Sequence, residues 1–439
     1  MNYKKFLSAA AEAGISPFQL IYTSKKDLNI RFYQTEVETY ISSSDSSLLG
    51  RGIYQGKTGS FTSDRADNAV VGMMMEAIKS SSPYGREGKP EFFVKPGLKY
   101  KRVHSYFKDG AEAKPEVLID LMKYISVEVK KKEPRIQIVQ AELGKEVRES
   151  LLVNSNGLKL KSKASGISLF VSVVIKDGEE TESSFEYVIL DDLTGFDKDA
   201  FVAKVIKSAV SKLHGVNVPT GKYDVVYSPE CIGALIKPLM DQLSAYQVHQ
   251  HLSLFEGKLN QEVLSKKLTV FENPWAKGID ASSYDEEGMP TLKKALVNKG
   301  VISTYIYDLE NAAQDKKEST GNGSLNDGNI VPALGLIQVK PSRLSLEALF
   351  AKVGNGIYIT QVDGVGTGLN EQTGEYSLQA SGFFIKDGKL GDPIPLMTVA
   401  GSLLEDFAKV KAVGSDDKLT FWGVETPSIA IKKLVVAGK

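Results

Sequence analysis

Glycine punctuation constrains this chain more than any other feature. Its 39 glycines cut most of the sequence into short runs in which apolar and polar residues alternate. That is the period of strands with one face buried. The run from Gly50 to Phe61 holds four such glycines, Gly50, Gly52, Gly56 and Gly59. It predicts a tight antiparallel meander. Phe18 to Tyr22 and Leu28 to Tyr33 read as strands parted by the polar turn Ser24-Lys25-Lys26-Asp27, and Thr35 to Ile41 continues before the serines 42–44. Asn156-Gly157 reads as a hairpin turn between Val147–Val153 and Gly157–Ser162, since that dipeptide accepts positive φ. A second pair joins Ile167–Ile175 to Ser184–Leu190 across residues 176–179.

Few windows carry a helical stripe. Pro115 to Lys132 is the clearest, with Leu118, Leu121, Met122, Ile125 and Val129 on one face and Pro134 beyond its end. Lys130, Lys131 and Lys132 complement the negative end of its dipole. Asp197 to Leu213 is a second, with Asp197 as N-cap. Tyr3–Ala13, Ala69–Ser80 and Val399–Val410 are shorter candidates, and Pro229 opens another that Pro238 would kink or end early. Met73, Met74 and Met75 cannot all face one way, so core packing accounts for at least two. The second half is richer in glycine and strand. The segment Gly215–Gly221, with Pro219 inside it, is the best linker. The expected fold is α+β, mainly antiparallel, in two domains: 1–214 and a β-rich 215–439.

Charge excludes some functions. Lys plus Arg and Asp plus Glu both number 54. A surface built to release counterions from nucleic acid would be basic, so nucleic acid is not an expected partner. One cysteine, Cys231, fits a reducing compartment. The N-terminus has no apolar signal core, and no run reaches the roughly 18 apolar residues of a membrane span. A cytoplasmic, soluble protein is expected.

The four histidines limit the chemistry. None of His104, His214, His249 and His251 is followed by Glu. The zinc pattern of two histidines a helical turn apart, with a glutamate between them as base, is therefore absent. On a strand His249 and His251 would share a face, near Glu256; a polar loop or helix end is the plainer reading. Cys231 sits by a helix start, where a thiol can be activated, yet a buried inert thiol suits it better. Gly364 to Gly368 has the wrong spacing and context for a nucleotide fingerprint. Asp285-Glu286-Glu287-Gly288 could serve acid–base chemistry or form a solvated turn.

Taken together, several segments resemble one family. They are Tyr284 to Thr291, Leu296 to Ile302, Ser319 to Gly323, Asn370 to Phe383 and the tail from Pro427. Gly50-Arg51-Gly52 and Asn154 to Gly157 fit as well. In order and combination they resemble the TldD/PmbA family, also known as modulators of DNA gyrase. They match its TldE (PmbA) side, which lacks the zinc motif. The resemblance implies a dimeric zinc metallopeptidase complex acting on unfolded peptides. The zinc is expected in a TldD-like partner, with no cofactor in this chain. No catalytic or metal-binding residue carries over.

The resemblance makes this chain a non-catalytic subunit that shapes a peptide cavity, as a heterodimer or a homodimer. The candidate cavity residues are Asp285, Glu286, Gly288, Asn322, Thr373 and Gly374. Gly356–Val362 and Ser377–Ile385 are candidate strand edges for an extended peptide. Two alternatives stay open. One is a self-associating peptide-binding protein without a catalytic partner. The other is a peptidase with a different metal site, around His249, His251 and Glu256 or the carboxylates 285–287.

Overall fold

A computed structural model describes residues 1–326 and 329–438. In the first half the alternating runs fuse into long antiparallel strands: β1 (Phe18–Tyr33), β2 (Glu36–Tyr54), β3 (Lys57–Ser63), β4 (Ile136–Asn154), β5 (Lys159–Asp177) and β6 (Glu180–Leu190). Their order is β3-β2-β1-β4-β5-β6. The expected turn at Ser24–Asp27 does not exist. Those residues lie in the middle of β1, with Lys25 opposite Asp45 of β2 and Arg148 of β4. Their polarity reflects a stretch open to water, where Lys25 pairs with Asp27 and Glu146 at 3.2 and 3.0 Å. The serines 42–44 likewise continue β2 rather than end it. The Asn156-Gly157 turn does join β4 to β5, with Gly157 at φ +92°.

Two helix pairs cover this sheet. Pro115–Lys132 and Lys198–Val210 bury Leu118, Met122, Ile125, Val202 and Val205 against Ile30, Phe32, Val139 and Leu169. Asp197 caps the second helix, accepting from the Ala200 N–H at 2.9 Å. Tyr3–Glu12 and Val70–Ser81 set Phe6, Met74 and Ile78 on Phe18, Leu20 and Leu48. Met73 turns outward, 61% exposed, as three consecutive methionines require. The chain leaves this body after Leu213, and Val218 is already buried in a second core.

The second half forms β7 (Gly221–Tyr227), β8 (Val270–Glu272), β9 (Lys294–Asn298), β10 (Val301–Ile302), β11 (Gly323–Asn326), β12 (Asn329–Pro332), β13 (Ile337–Val339), β14 (Gly356–Asp363), β15 (Glu375–Lys386), β16 (Lys389–Ser402), β17 (Val410–Val413), β18 (Lys418–Leu419), β19 (Val424–Thr426) and β20 (Ile429–Ala437). One sheet runs β10-β9-β8-β13-β19-β18 and another β16-β15-β14-β7-β20-β17. In the latter β16 also pairs with β20, so five strands close on themselves. The helix Pro229–Asp241 contributes Ile232, Leu235, Ile236 and Leu239 to the core, and it runs on through Pro238.

Two expectations fail here. Val399–Val410 is not a helix: β16 extends to Ser402 and only Leu403–Ala408 is helical. Val399 is instead a strand residue between Leu378 and Val436. Nor are β14 and β15 free edges, since β14 lies between β15 and β7, and β15 between β14 and β16. Closure of the sheet removes the edges that glycine flanks suggested. The result is α+β with mainly antiparallel sheets, as the patterning predicts. Among the described residues no helix is long and apolar enough to cross a membrane.

Candidate functional site

The two bodies meet along residues 277–291. Lys277 pairs with Asp191 at 2.8 Å, and the Gly278 N–H donates to the His104 carbonyl at 3.2 Å. Arg148 of β4 donates to the Ile279 carbonyl at 3.3 Å. Gln19 of β1 donates from Nε2 to the Glu286 carbonyl at 2.9 Å, and the Tyr100 hydroxyl to the Gly288 carbonyl at 2.8 Å. Apolar contacts complete the joint, with Tyr284, Met289, Leu309 and Leu325 on Ile21, Leu49, Leu152 and Leu158. Gly288 has φ +90°, and a Cβ there would stand 2.6 Å from Leu158 Cδ2. The positive φ favours glycine there, and a Cβ would also push the Leu158 side chain aside.

Asp285 organises this turn. Its Oδ1 accepts the N–H groups of Glu287 and Met289 at 3.0 and 2.8 Å, and its Oδ2 accepts that of Gly323 at 2.8 Å. Glu286 accepts from Ser324 at 3.3 Å and from the Leu325 N–H. Glu287 is 2% exposed and accepts the Leu309 N–H at 2.8 Å. Arg51, in the glycine-rich run of β2, faces this cluster from the other body. It donates to Gln19 Oε1 at 3.3 Å and lies 5.1 Å from the Phe93 ring centre. Its Nε has no partner. Burial pushes Glu287 up to about 8, against the pull of Arg51. Burial also raises Asp285, to about 7, against its three N–H donors. Desolvation penalises the carboxylate, and neighbouring charge or donors restore part of it.

Asn322 belongs to the same place. Its Nδ2 donates to Glu272 Oε1 and to the Ala333 carbonyl, both at 2.8 Å. Glu272 also pairs with Lys294. Thr373 and Gly374 do not join this set. They form the turn from β14 to β15, where Asn370 Oδ1 accepts the N–H groups of Gln372 and Thr373 at 3.0 and 3.1 Å. Gly374 is there for its φ of +73°.

Between the bodies lie three neighbouring cavities that share lining residues. The first, about 420 Å³, is lined by Asp285, Glu286, Asn322, Glu272, Arg148 and Tyr284, among others. It shares Pro274, Ile279, Asp280 and Ala281 with a second of about 550 Å³. That one shares Ile189 and Phe421 with a third of about 570 Å³. The third is aromatic. Phe170 stacks on Phe185 with ring centres 5.4 Å apart, while Phe421 meets Tyr187 and Trp422 edge-on at 6.2 and 5.9 Å. Tyr187 bonds to Glu230 and accepts the Phe421 N–H at 2.8 Å. The edge strand β6 borders these cavities with Ile189 and Leu190.

The sequence does not single out Tyr187 or Phe421-Trp422 of this border, and it offers Arg51 and Glu287, which line a smaller pocket beside it, only within Gly50-Arg51-Gly52 and the 285–287 run. Only the adjacent aromatics carry a local signal, a Phe-Trp pair beside Gly423. The others depend on burial by distant strands.

The histidines do not converge. His249 ends the helix Ala245–His249 rather than lying on a strand. Its Nδ1 and Nε2 bond to Asn311 and Asp315, both at 2.8 Å. His251 bonds to Glu256 at 2.7 Å on the surface. His104 packs on Phe107, and His214 lies by Asp177 and Glu180. Among the described residues no three His, Cys, Asp or Glu side chains are placed to hold a metal ion. The side chains present do not fit a zinc site, since tetrahedral zinc needs three or four converging donors. Cys231 is buried in the first turn of its helix, and burial pushes its thiol up to about 12. That is the opposite of an activated cysteine.

Comparison with known proteins adds the following. Residues 220–438 match the PmbA/TldA metallopeptidase C-terminal domain, and residues 108–213 its central domain. A protein named metalloprotease from Methanothermobacter thermautotrophicus is 27% identical over 282 residues, covering 62% of this chain and 61% of its own. The chain thus spans less than two thirds of that relative's length. A metalloprotease PmbA homologue from Haemophilus influenzae is 23% identical over 98% of this chain and 94% of its own. The crystal structure of TldE from Thermococcus kodakarensis superposes with a TM-score of 0.89, covering 99% of each chain at 19% identity. That last likeness is one of fold.

Proposed function

We propose that this chain, which belongs to the PmbA/TldD metallopeptidase family, is the TldE/PmbA-like subunit of a TldD/TldE-type zinc metallopeptidase complex. It supplies no catalytic residue. It shapes the channel along which an unfolded peptide reaches zinc held by a TldD-like partner. The observation that carries this reading is a row of neighbouring cavities between the bodies together with histidines bound elsewhere: His249 to Asn311 and Asp315, His251 to Glu256. An extended peptide would add to the β6 edge beside Ile189, taking main-chain bonds without sequence demands. Its larger apolar side chains would enter the aromatic cavity of Phe170, Tyr187 and Phe421.

The test measures bound metal and cleavage of an unfolded peptide, for the chain alone and mixed with a TldD-like chain. Expected are no stoichiometric zinc and no cleavage alone, and cleavage on mixing. Stoichiometric zinc or cleavage by the chain alone would overturn the reading. In the same mixtures, peptide should slow amide exchange along residues 180–190. Unchanged exchange there would remove β6 as the peptide edge.

A further inference from the structure

The sheet of the first body has a second open edge, about as long as β6. β3 covers β2 only from Leu48 to Tyr54, so residues 36–47 of β2 pair with β1 alone. This leaves roughly 40 Å of strand, at about 3.3 Å per residue, with one row of backbone groups unpaired. Proteins blunt such edges with proline, charged side chains (lysine above all), bulges or a covering loop. Here residues 36–47 contain no proline and no lysine. The register slips once, between Arg31 and Phe32 of β1, which leaves Glu38 as a bulge near the tip. Tyr40 and Ile41, 48% and 55% exposed, stand on opposite faces.

The charges on this edge have one sign. Glu36, Glu38 and Asp45 are exposed, and no Lys or Arg lies within 36–47. Basic residues nearby are committed elsewhere: Lys25 to Glu146 at 3.0 Å, Arg31 to Glu142 at 3.6 Å, and Arg65 to Asp67 at 2.8 Å. Lys26 stands one strand in, opposite Ser44. Pairing two copies of this edge can therefore set acid against acid or against a neutral residue, and in no register against a base. Like charges across strands destabilise, and opposite charges stabilise.

We infer that residues 36–47 are the docking edge for a strand of a different chain, one that carries lysine or arginine. On the subunit reading above, on which this rests, that chain is the TldD-like partner. Its strand continues the sheet beyond β2, and the acidic residues select it over a second copy.

The experiment is the affinity of this chain for the TldD-like chain of the same organism, by sedimentation at low and high salt. Wild type is compared with Glu36→Lys/Glu38→Lys/Asp45→Lys and with Glu36→Gln/Glu38→Gln/Asp45→Asn. All three positions are exposed, and circular dichroism confirms that the variants fold. Charge reversal should weaken binding roughly tenfold or more at low salt. The neutral variant should weaken it less and lose most of the salt dependence. Equal affinity and equal salt dependence for all three would overturn the edge and leave the subunit reading intact. If wild type does not bind the TldD-like chain, both fall. A wild-type homodimer protected from exchange at 36–47 would seat a second copy there and overturn the choice of partner.

Discussion

Asp285→Ala should cost about 3–5 kcal/mol of stability, because three amide N–H groups lose their acceptor at once. A buried donor left unpaired costs about 1–3 kcal/mol. The N–H groups of Glu287, Met289 and Gly323 all point at this one carboxylate. Water from the adjoining cavity of about 420 Å³ offsets part of the loss, which is why the estimate stays below three full penalties. Asp285→Asn tests the cause. It keeps the oxygen facing Glu287 and Met289 but offers an NH₂ group to the Gly323 N–H, so about half the loss should remain. Calorimetric melting of the three proteins decides between these outcomes. An Asp285→Ala melting point matching wild type would mean that the joint does not depend on this turn. The effect should also loosen the contact between the bodies. Glu286, fixed by the same turn, receives Gln19 from β1.

How far this arrangement could be read beforehand depends on the range of the forces. Asp197 as a cap, the Asn156-Gly157 turn and the stripe of Pro115–Lys132 are local features, and the structure keeps each. The continuity of β1 through Ser24–Asp27 is not local. It rests on pairing with residues 43–46 and 146–149, and polar residues resemble a turn when those partners are unseen. The expectation of free edges at β14 and β15 fails for the same reason. Glycines flank β14 and β15, but only ring closure through β16 and β20 shows that these strands are interior. The site divides similarly. Of the residues expected from the resemblance, Asp285, Glu286 and Asn322 line one cavity, while Gly288 packs against Leu158 outside it. Thr373 and Gly374 came from the same resemblance but serve a separate turn.

Glu287 should make the protein less stable as pH rises through neutrality. Its carboxyl is 2% exposed, and burial lifts it to about 8 from the ordinary 4.5. The folded state therefore keeps a proton that the unfolded chain releases above about pH 4.5. Wherever the folded state binds more protons, stability falls with rising pH. The loss is about 1.4 kcal/mol per unit and levels off once Glu287 ionises in the folded protein, above about pH 8. Arg51 limits the loss without abolishing it, since it contacts Gln19 rather than Glu287. Glu287→Gln removes the proton from the balance while its amide oxygen can still accept the Leu309 N–H. Asp285 titrates in the same range with the same sign, so the variant should flatten the dependence rather than erase it. Between about pH 6 and pH 8 the variant should gain about 2 kcal/mol on wild type, read from urea unfolding at each pH. Parallel curves would mean that Glu287 is already charged at pH 6. Arg51 would then have to reach it across the joint, with the two bodies held together by a buried ion pair rather than by a protonated acid.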